Sequence, residues 1–160
     1  MVRFLDDKSA VITGSTSGIG LGYARALAAE GCNILLNGFG DEAEIETVRL
    51  TLEADFGVKA VFNGADMRDS KAIKAMINAA NDAFGKIDIL INNAGGSSGF
   101  APVAELSEDA WQEAAAWILH SAFWATRLAL RDMESRQWGR IINIGSVEGK
   151  QVNKENVSHY

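Results

Sequence analysis

The chain has 160 residues, 48% hydrophobic and 22% charged, which suits one domain with a full core and excludes disordered and collagen-like classes. Its formal net charge of −6 disfavours nucleic acid and anionic membrane surfaces as partners. The single cysteine, Cys32, cannot form an internal disulfide, and no apolar run reaches the roughly 18 residues of a membrane span. Asp6 and Asp7 lie where a secretory signal needs apolar residues. The sequence therefore predicts a cytoplasmic protein without a membrane segment.

Apolar runs of strand length alternate with longer stretches of helical period, and glycine, asparagine or aspartate mark the joins. The short runs are nearly unbroken, which is typical of a parallel sheet covered by helices on both faces. The sequence therefore predicts a doubly wound α/β fold with five parallel strands. In chain order the predicted elements are strand 9–13, helix 19–30, strand 33–37, helix 41–56, strand 58–63, helix 70–84 capped by Asp69, strand 88–92, helix 107–137 and strand 140–144.

The last predicted helix, from about Ser107 to Gln137, is the longest. At about 1.5 Å per residue its length would be about 45 Å, more than one sheet face can cover. We therefore expect a homo-oligomer, either a homodimer or a homotetramer, in which a second subunit covers the remainder. The residues expected on one side of this helix are Trp111, Ala114, Ile118, Ala122, Ala125 and Ala129.

A glycine-rich turn separates the first predicted strand from the first helix. Its T-G-x-x-x-G-I-G spacing lets the backbone approach phosphates and lets the helix pack on the strand, and the helix N-terminus attracts a pyrophosphate. No Gly-Lys-Ser/Thr follows, which disfavours a P-loop nucleotide hydrolase. After Thr13, the predicted cofactor-binding residues of this turn are Gly14, Ser15, Thr16, Ser17, Gly18, Ile19 and Gly20.

With this turn the sequence resembles the short-chain dehydrogenase/reductase family, and further motifs repeat the match over essentially the whole chain. Asn92-Asn93-Ala94-Gly95 ends the fourth strand, Asp66 follows the third, and Ser146 follows the fifth. The resemblance implies a Rossmann fold that binds a nicotinamide dinucleotide. It also implies cofactor contacts at Phe39, Asp66, Met67, Asn93, Ala94 and Gly95.

The resemblance further implies hydride transfer between nicotinamide and an alcohol or ketone. Tyr160 stands near the spacing of the family's catalytic tyrosine and would exchange the proton, while Ser146 would hold the substrate oxygen. A free tyrosine has a pKa of about 10, which the family lowers with a lysine four residues later. The chain ends at Tyr160, so we expect a fragment of a longer enzyme that is inactive alone and lacks the family's sixth strand and substrate lid.

Within the family, the stretches at 36–40, 64–67 and 138–144 look like D-3-hydroxybutyrate dehydrogenases. This likeness implies 3-hydroxybutyrate and acetoacetate as the substrate pair. That subgroup binds the substrate carboxylate with a glutamine after the Asn-Asn-Ala-Gly motif and a histidine two residues beyond the serine. Here the corresponding positions hold Gly96 or Ser97, and Glu148, whose negative charge would repel a carboxylate.

The charge near the adenosine ribose predicts NAD rather than NADP as the cofactor. A 2′-phosphate requires arginine or lysine, whereas an acidic residue suits a free 2′-hydroxyl. Residues 37–40 offer no cation, and Asp41 is nearby. Asp41 fits equally well as a ribose contact or as the N-cap of the second helix.

Two alternatives stay open at this point. One is an NADPH-dependent 3-oxoacyl reductase, which the missing basic residues disfavour. The other is a non-catalytic dinucleotide-binding protein, since Ile118 stands near the family's relay asparagine and no lysine follows Tyr160; His120 is either a substitute or a packed residue. The spacing of His, Cys, Asp and Glu predicts no metal site, and no Ser-His-Asp set indicates a hydrolase.

Overall fold

The computed structural model describes residues 3–96, 99 and 101–151. Strands and helices alternate along the chain as predicted, with most boundaries shifted by one or two residues. The elements are β1 (Ser9–Ile12), α1 (Gly18–Ala29), β2 (Asn33–Asn37), α2 (Glu42–Phe56), β3 (Ala60–Asn63), α3 (Ser70–Phe84), β4 (Ile89–Asn92), α4 (Glu108–Ala115), α5 (Ser121–Ser135) and β5 (Arg140–Asn143).

The five strands form one parallel sheet in the order β3-β2-β1-β4-β5. The predicted doubly wound sheet is therefore confirmed. The chain winds outward from β1 to β3 and then returns to place β4 on the other side of β1. This reversal opens a crevice at the carboxyl ends of β1 and β4, where open α/β sheets bind their ligands.

Helices cover both faces of the sheet because successive strand residues point to opposite sides. On one face Ile12 and Leu36 are buried with Ala24 of α1 and Leu52 of α2. On the other face Val11, Leu35 and Leu90 pack with residues of α3 and α5, among them Met76 and Ala125. Among the described residues no helix is long and apolar enough to cross a membrane.

The long helix predicted over 107–137 is not continuous, and that expectation was wrong. A π-helical turn, Ala116–His120, separates α4 from α5. Ser121 accommodates it, because its N–H bonds to Ala116 O and its hydroxyl donates to Trp117 O at 2.5 Å. Trp111, expected on the covered side, is 48% exposed. In α4 the buried side chain is Ala114, since this short helix packs chiefly on the π turn.

Candidate functional site

The glycine-rich turn has the backbone shape that a pyrophosphate site needs. Gly14 and Gly18 adopt φ values of +63° and +55°, which favour glycine. A Cβ added at Gly20 would lie 2.2 Å from Gly14 O, so the start of α1 packs directly on the turn. Within the described part of the chain, the Ser17 hydroxyl makes no capping bond to α1. The first amides of this helix are therefore available to an anion.

The other long helices contrast with α1 because a side chain caps each of them. Asp41 accepts bonds from the N–H groups of Ala43 and Glu44 at 2.9 and 3.1 Å. Asp69 caps α3, and Ser107 caps α4. The capping role of Asp41 is thereby confirmed, whereas a ribose contact through its carboxylate stays a prediction.

Asn37, at the end of β2, fastens the turn to the neighbouring strand, a role the sequence analysis missed. It is 1% exposed, and its Oδ1 accepts the Gly14 N–H at 3.2 Å. Its Nδ2 donates to Asn63 O and Ala65 O, both at 3.0 Å. One buried amide therefore joins the phosphate turn to the loop before Asp66. A strand-end asparagine beside a glycine-rich turn is the sequence signal that could have indicated this.

Two hydroxyl groups of the turn are engaged inside the fold. Ser15 is fully buried and donates to Ile12 O at 2.7 Å. Thr16 donates to Phe39 O at 2.9 Å and so holds the segment after β2 against the turn. Phe39 itself is 59% exposed. The cofactor contacts predicted at these residues are therefore open to the Phe39 ring and to backbone groups.

The Asn93 turn, residues 93–95, lies directly against the phosphate turn. Thr13 Oγ1 accepts the N–H groups of Asn93 and Ala94, each at 2.9 Å. The Asn93 side-chain amide donates to Thr13 O and Gly14 O, also at 2.9 Å. The two motifs that carry the family resemblance thus form one hydrogen-bonded unit at the β1–β4 crevice.

Asp66 stands at the third corner of the crevice, in an ion pair that the sequence analysis did not anticipate. Arg68 Nη2 donates to Asp66 Oδ2 at 2.8 Å, and Arg68 Nε donates to Oδ1 at 3.0 Å. These bonds lower the pKa of the Asp66 carboxyl below its usual value. Met67 beside it is 3% exposed and packs in the core, so its backbone is the part available to a ligand.

Ser146 follows β5 and is exposed at the same end of the sheet. Its Oγ accepts the Glu148 N–H at 3.2 Å, which leaves the hydroxyl proton free to point toward a substrate oxygen. Tyr160 and Ser97 lie outside the described residues, so their predicted roles rest on sequence alone. Among the described residues no group of His, Cys, Asp and Glu could hold a metal ion.

A cleft of about 550 Å³ lies between α5 and the ends of β4 and β5. Its polar floor is Asn92, whose Nδ2 donates to Thr126 Oγ1 at 3.1 Å and to Asn143 Oδ1 at 2.8 Å. Ile118 lines the cleft, close to the Cβ position of Gly95. The side chain at the family's asparagine position is therefore apolar and packed beside the Asn93 turn. His120 is exposed, and its catalytic role stays a prediction.

Comparison with known sequences agrees with this geometry. Residues 8–160 match the model of the short chain dehydrogenase family. A D-beta-hydroxybutyrate dehydrogenase of Cupriavidus necator is 46% identical over 91% of this chain and 55% of its own length. The enzyme of the same name from Rhizobium meliloti is 43% identical over 89% and 55%. A Streptomyces virginiae protein, named as a monensin polyketide synthase ketoacyl reductase, is 42% identical over 89% and 54%.

Solved structures give the same result. The NADPH-dependent 3-quinuclidinone reductase of Rhodotorula rubra superposes with a TM-score of 0.90 at 28% identity, over 97% of this chain and 58% of that one. NAD+-bound xylitol dehydrogenase superposes with a TM-score of 0.89 at 29% identity, over 99% and 60%. The chain spans about half the length of the curated relatives it matches. It belongs to the short-chain dehydrogenase/reductase family.

Proposed function

We propose that the whole protein is an NAD-dependent oxidoreductase that transfers a hydride between nicotinamide and a small secondary alcohol or ketone. The observation that carries the proposal is the bonding of the phosphate turn to the Asn93 turn through Thr13, at the β1–β4 crevice. The open backbone at Gly18 and the uncapped start of α1 would hold the pyrophosphate. The bound cofactor supplies or accepts the hydride.

NAD is favoured over NADP by the charges after β2. Residues 37–48 contain no lysine or arginine but do contain Asp41 and three glutamates. These carboxylates would repel a 2′-phosphate. Calorimetric titration of the full-length protein with both cofactors tests this choice, and tighter binding of NADP would contradict it. Asp41→Ser keeps the helix cap but removes a charge, so it should narrow the difference between the two affinities without unfolding the protein.

3-Hydroxybutyrate and acetoacetate are the substrate pair we propose, with support from the two relatives of that name. Ser146 would hold the substrate oxygen and Tyr160 would exchange its proton. A second candidate, an NADPH-dependent 3-oxoacyl reductase, is favoured by the 42% identical ketoacyl reductase relative. Steady-state assays with 3-hydroxybutyrate and NAD, and with a 3-oxoacyl thioester and NADPH, distinguish the two.

A non-catalytic dinucleotide-binding protein is the alternative from another class, and Ile118 supports it. The residue four positions after Tyr160 in the full-length sequence discriminates between the two. A lysine there supports the enzyme, because it would lower the pKa of the tyrosine. Another residue would favour the binding protein.

We also propose a homodimer or homotetramer that pairs through α5. Phe123 is 56% exposed and Leu130 is 38% exposed on this helix. Apolar side chains in such a row suit contact with a second subunit. Light scattering on the full-length protein at micromolar concentration should give a mass of two or four subunits, and a monomer alone would contradict the proposal.

A further inference from the structure

Arg68 lies at the centre of a cluster that joins the loop after β3 to the helices after β4. Its Nη2 donates to Asp66 at 2.8 Å and its Nη1 donates to Glu113 Oε1 at 2.7 Å. Its Cζ also lies 5.7 Å from the centre of the Trp117 ring. Arg68 therefore contacts the carboxylate proposed for the adenine site, the α4 helix and the π turn at once.

Trp117 continues this connection to the loop after Asn93. A Cβ added at Gly96 would lie 2.8 Å from two carbons of the Trp117 ring, so the indole packs directly on that backbone. The next residue, Ile118, lies beside Gly95 and lines the cleft near Ser146. The π turn that Arg68 contacts is thus part of the wall at the end of the site where hydride transfer would take place.

We propose that Arg68 is a positioning residue that couples occupation of the adenine site to the placement of the π turn. This inference rests on the proposed function. A ligand that bonds to Asp66 alters the charge that Arg68 faces, and Arg68 divides its bonds between Asp66 and Glu113 across the two elements. Coupling between two sites is reciprocal, so a correctly placed π turn also favours the adenine contact. A lysine could not replace the planar fork and its stacking on the indole.

AMP tests the coupling because it occupies only the adenine half of the site. In the full-length protein we expect AMP to change the tryptophan fluorescence, and Trp117→Phe to abolish this change. Arg68→Gln should also abolish it and weaken AMP binding about two- to fivefold, the range expected for an exposed ion pair. Glu113→Gln leaves the Asp66–Arg68 pair intact but should reduce the fluorescence change.

Arg49→Gln is the matched control. Arg49 likewise bridges two carboxylates, Glu46 at 2.7 Å and Glu53 at 2.8 Å, but on α2, so its loss should leave the AMP response intact. Arg68→Lys retains the charge, and we expect a folded protein with a reduced response. Equal responses in Arg68→Gln and Arg49→Gln, or no response of the wild type despite AMP binding, would overturn the coupling. Failure of the protein to bind AMP and NAD would instead refute the proposed function.

Discussion

Thr13 and Asn93 hold each other through two hydrogen bonds of 2.9 Å. The Asn93 N–H donates to Thr13 Oγ1, and the Asn93 side-chain amide donates to the Thr13 carbonyl oxygen. The two residues are 80 positions apart in the sequence, yet each follows a central strand of the same sheet. Their pairing fixes the distance between the phosphate turn and the loop that leads to the proposed reaction centre.

Replacing Asn93 with alanine should therefore damage both stability and cofactor binding. The change removes the donor to two backbone carbonyls, so we expect a loss of about 2 kcal/mol in the free energy of unfolding and weaker NAD binding. Urea denaturation and calorimetry measure the two effects. Asn78→Ala, at an exposed position of α3, is the control, and equal stability of the two variants would refute the structural role of Asn93.

Two glycines of α1 provide a matched test of the close contact with the phosphate turn. A Cβ at Gly20 would lie 2.2 Å from Gly14 O, whereas in the described structure nothing lies within 4 Å of a Cβ at Gly22. Gly20→Ala should lose about 1–3 kcal/mol of stability through overpacking, together with NAD binding. Gly22→Ala should gain about 0.4–1 kcal/mol. Similar denaturation midpoints for the two variants would show that the contact is not as tight as described.

The Cys32 thiol should be inert in the folded protein. It is fully buried, and burial, with a smaller contribution from Asp88, raises its pKa to about 12. A raised folded pKa means that the unfolded chain loses its thiol proton first as pH rises. Stability should therefore fall above about pH 9, by up to about 1.4 kcal/mol per pH unit. Urea denaturation from pH 7 to 10 checks this, and Cys32→Ala should remove that part of the pH dependence.

Ser146→Ala should slow turnover of the full-length protein by about two orders of magnitude, the usual effect of removing a positioned donor to a developing oxyanion. Because the Ser146 hydroxyl already accepts the Glu148 N–H, its proton is directed outward, and Ser146→Thr should retain part of the activity. Initial-rate assays at saturating NAD give the comparison. Unchanged turnover in the alanine variant would remove Ser146 from the mechanism.

The order of strands and helices was predictable because apolar period and helix-end residues are local properties. Asp69 and Ser107 begin their helices as expected, and Gly57 and Gly85 end theirs with positive φ. The π turn at Ala116–His120 was not predictable, because a single extra residue in a helical turn leaves the apolar spacing almost unchanged. The long-helix expectation failed for this reason.

Part of the candidate site was also out of reach of sequence patterns. The motifs identified the phosphate turn, the Asn93 turn and Asp66 because each follows a strand end. The partners of these residues depend on which strands are neighbours in the sheet. Asn37 reaches Gly14 across two adjacent strands, and Arg68 reaches Glu113 45 positions away. Neither contact has a local sequence signal.

The most direct test of the proposed enzyme is the appearance of reduced nicotinamide when the full-length protein is mixed with NAD and 3-hydroxybutyrate. We predict turnover by the wild type. Tyr160→Phe should abolish turnover while NAD affinity stays nearly unchanged, because the change removes the proton donor and no proposed phosphate or ribose contact. Turnover by the phenylalanine variant at the wild-type rate would contradict the account.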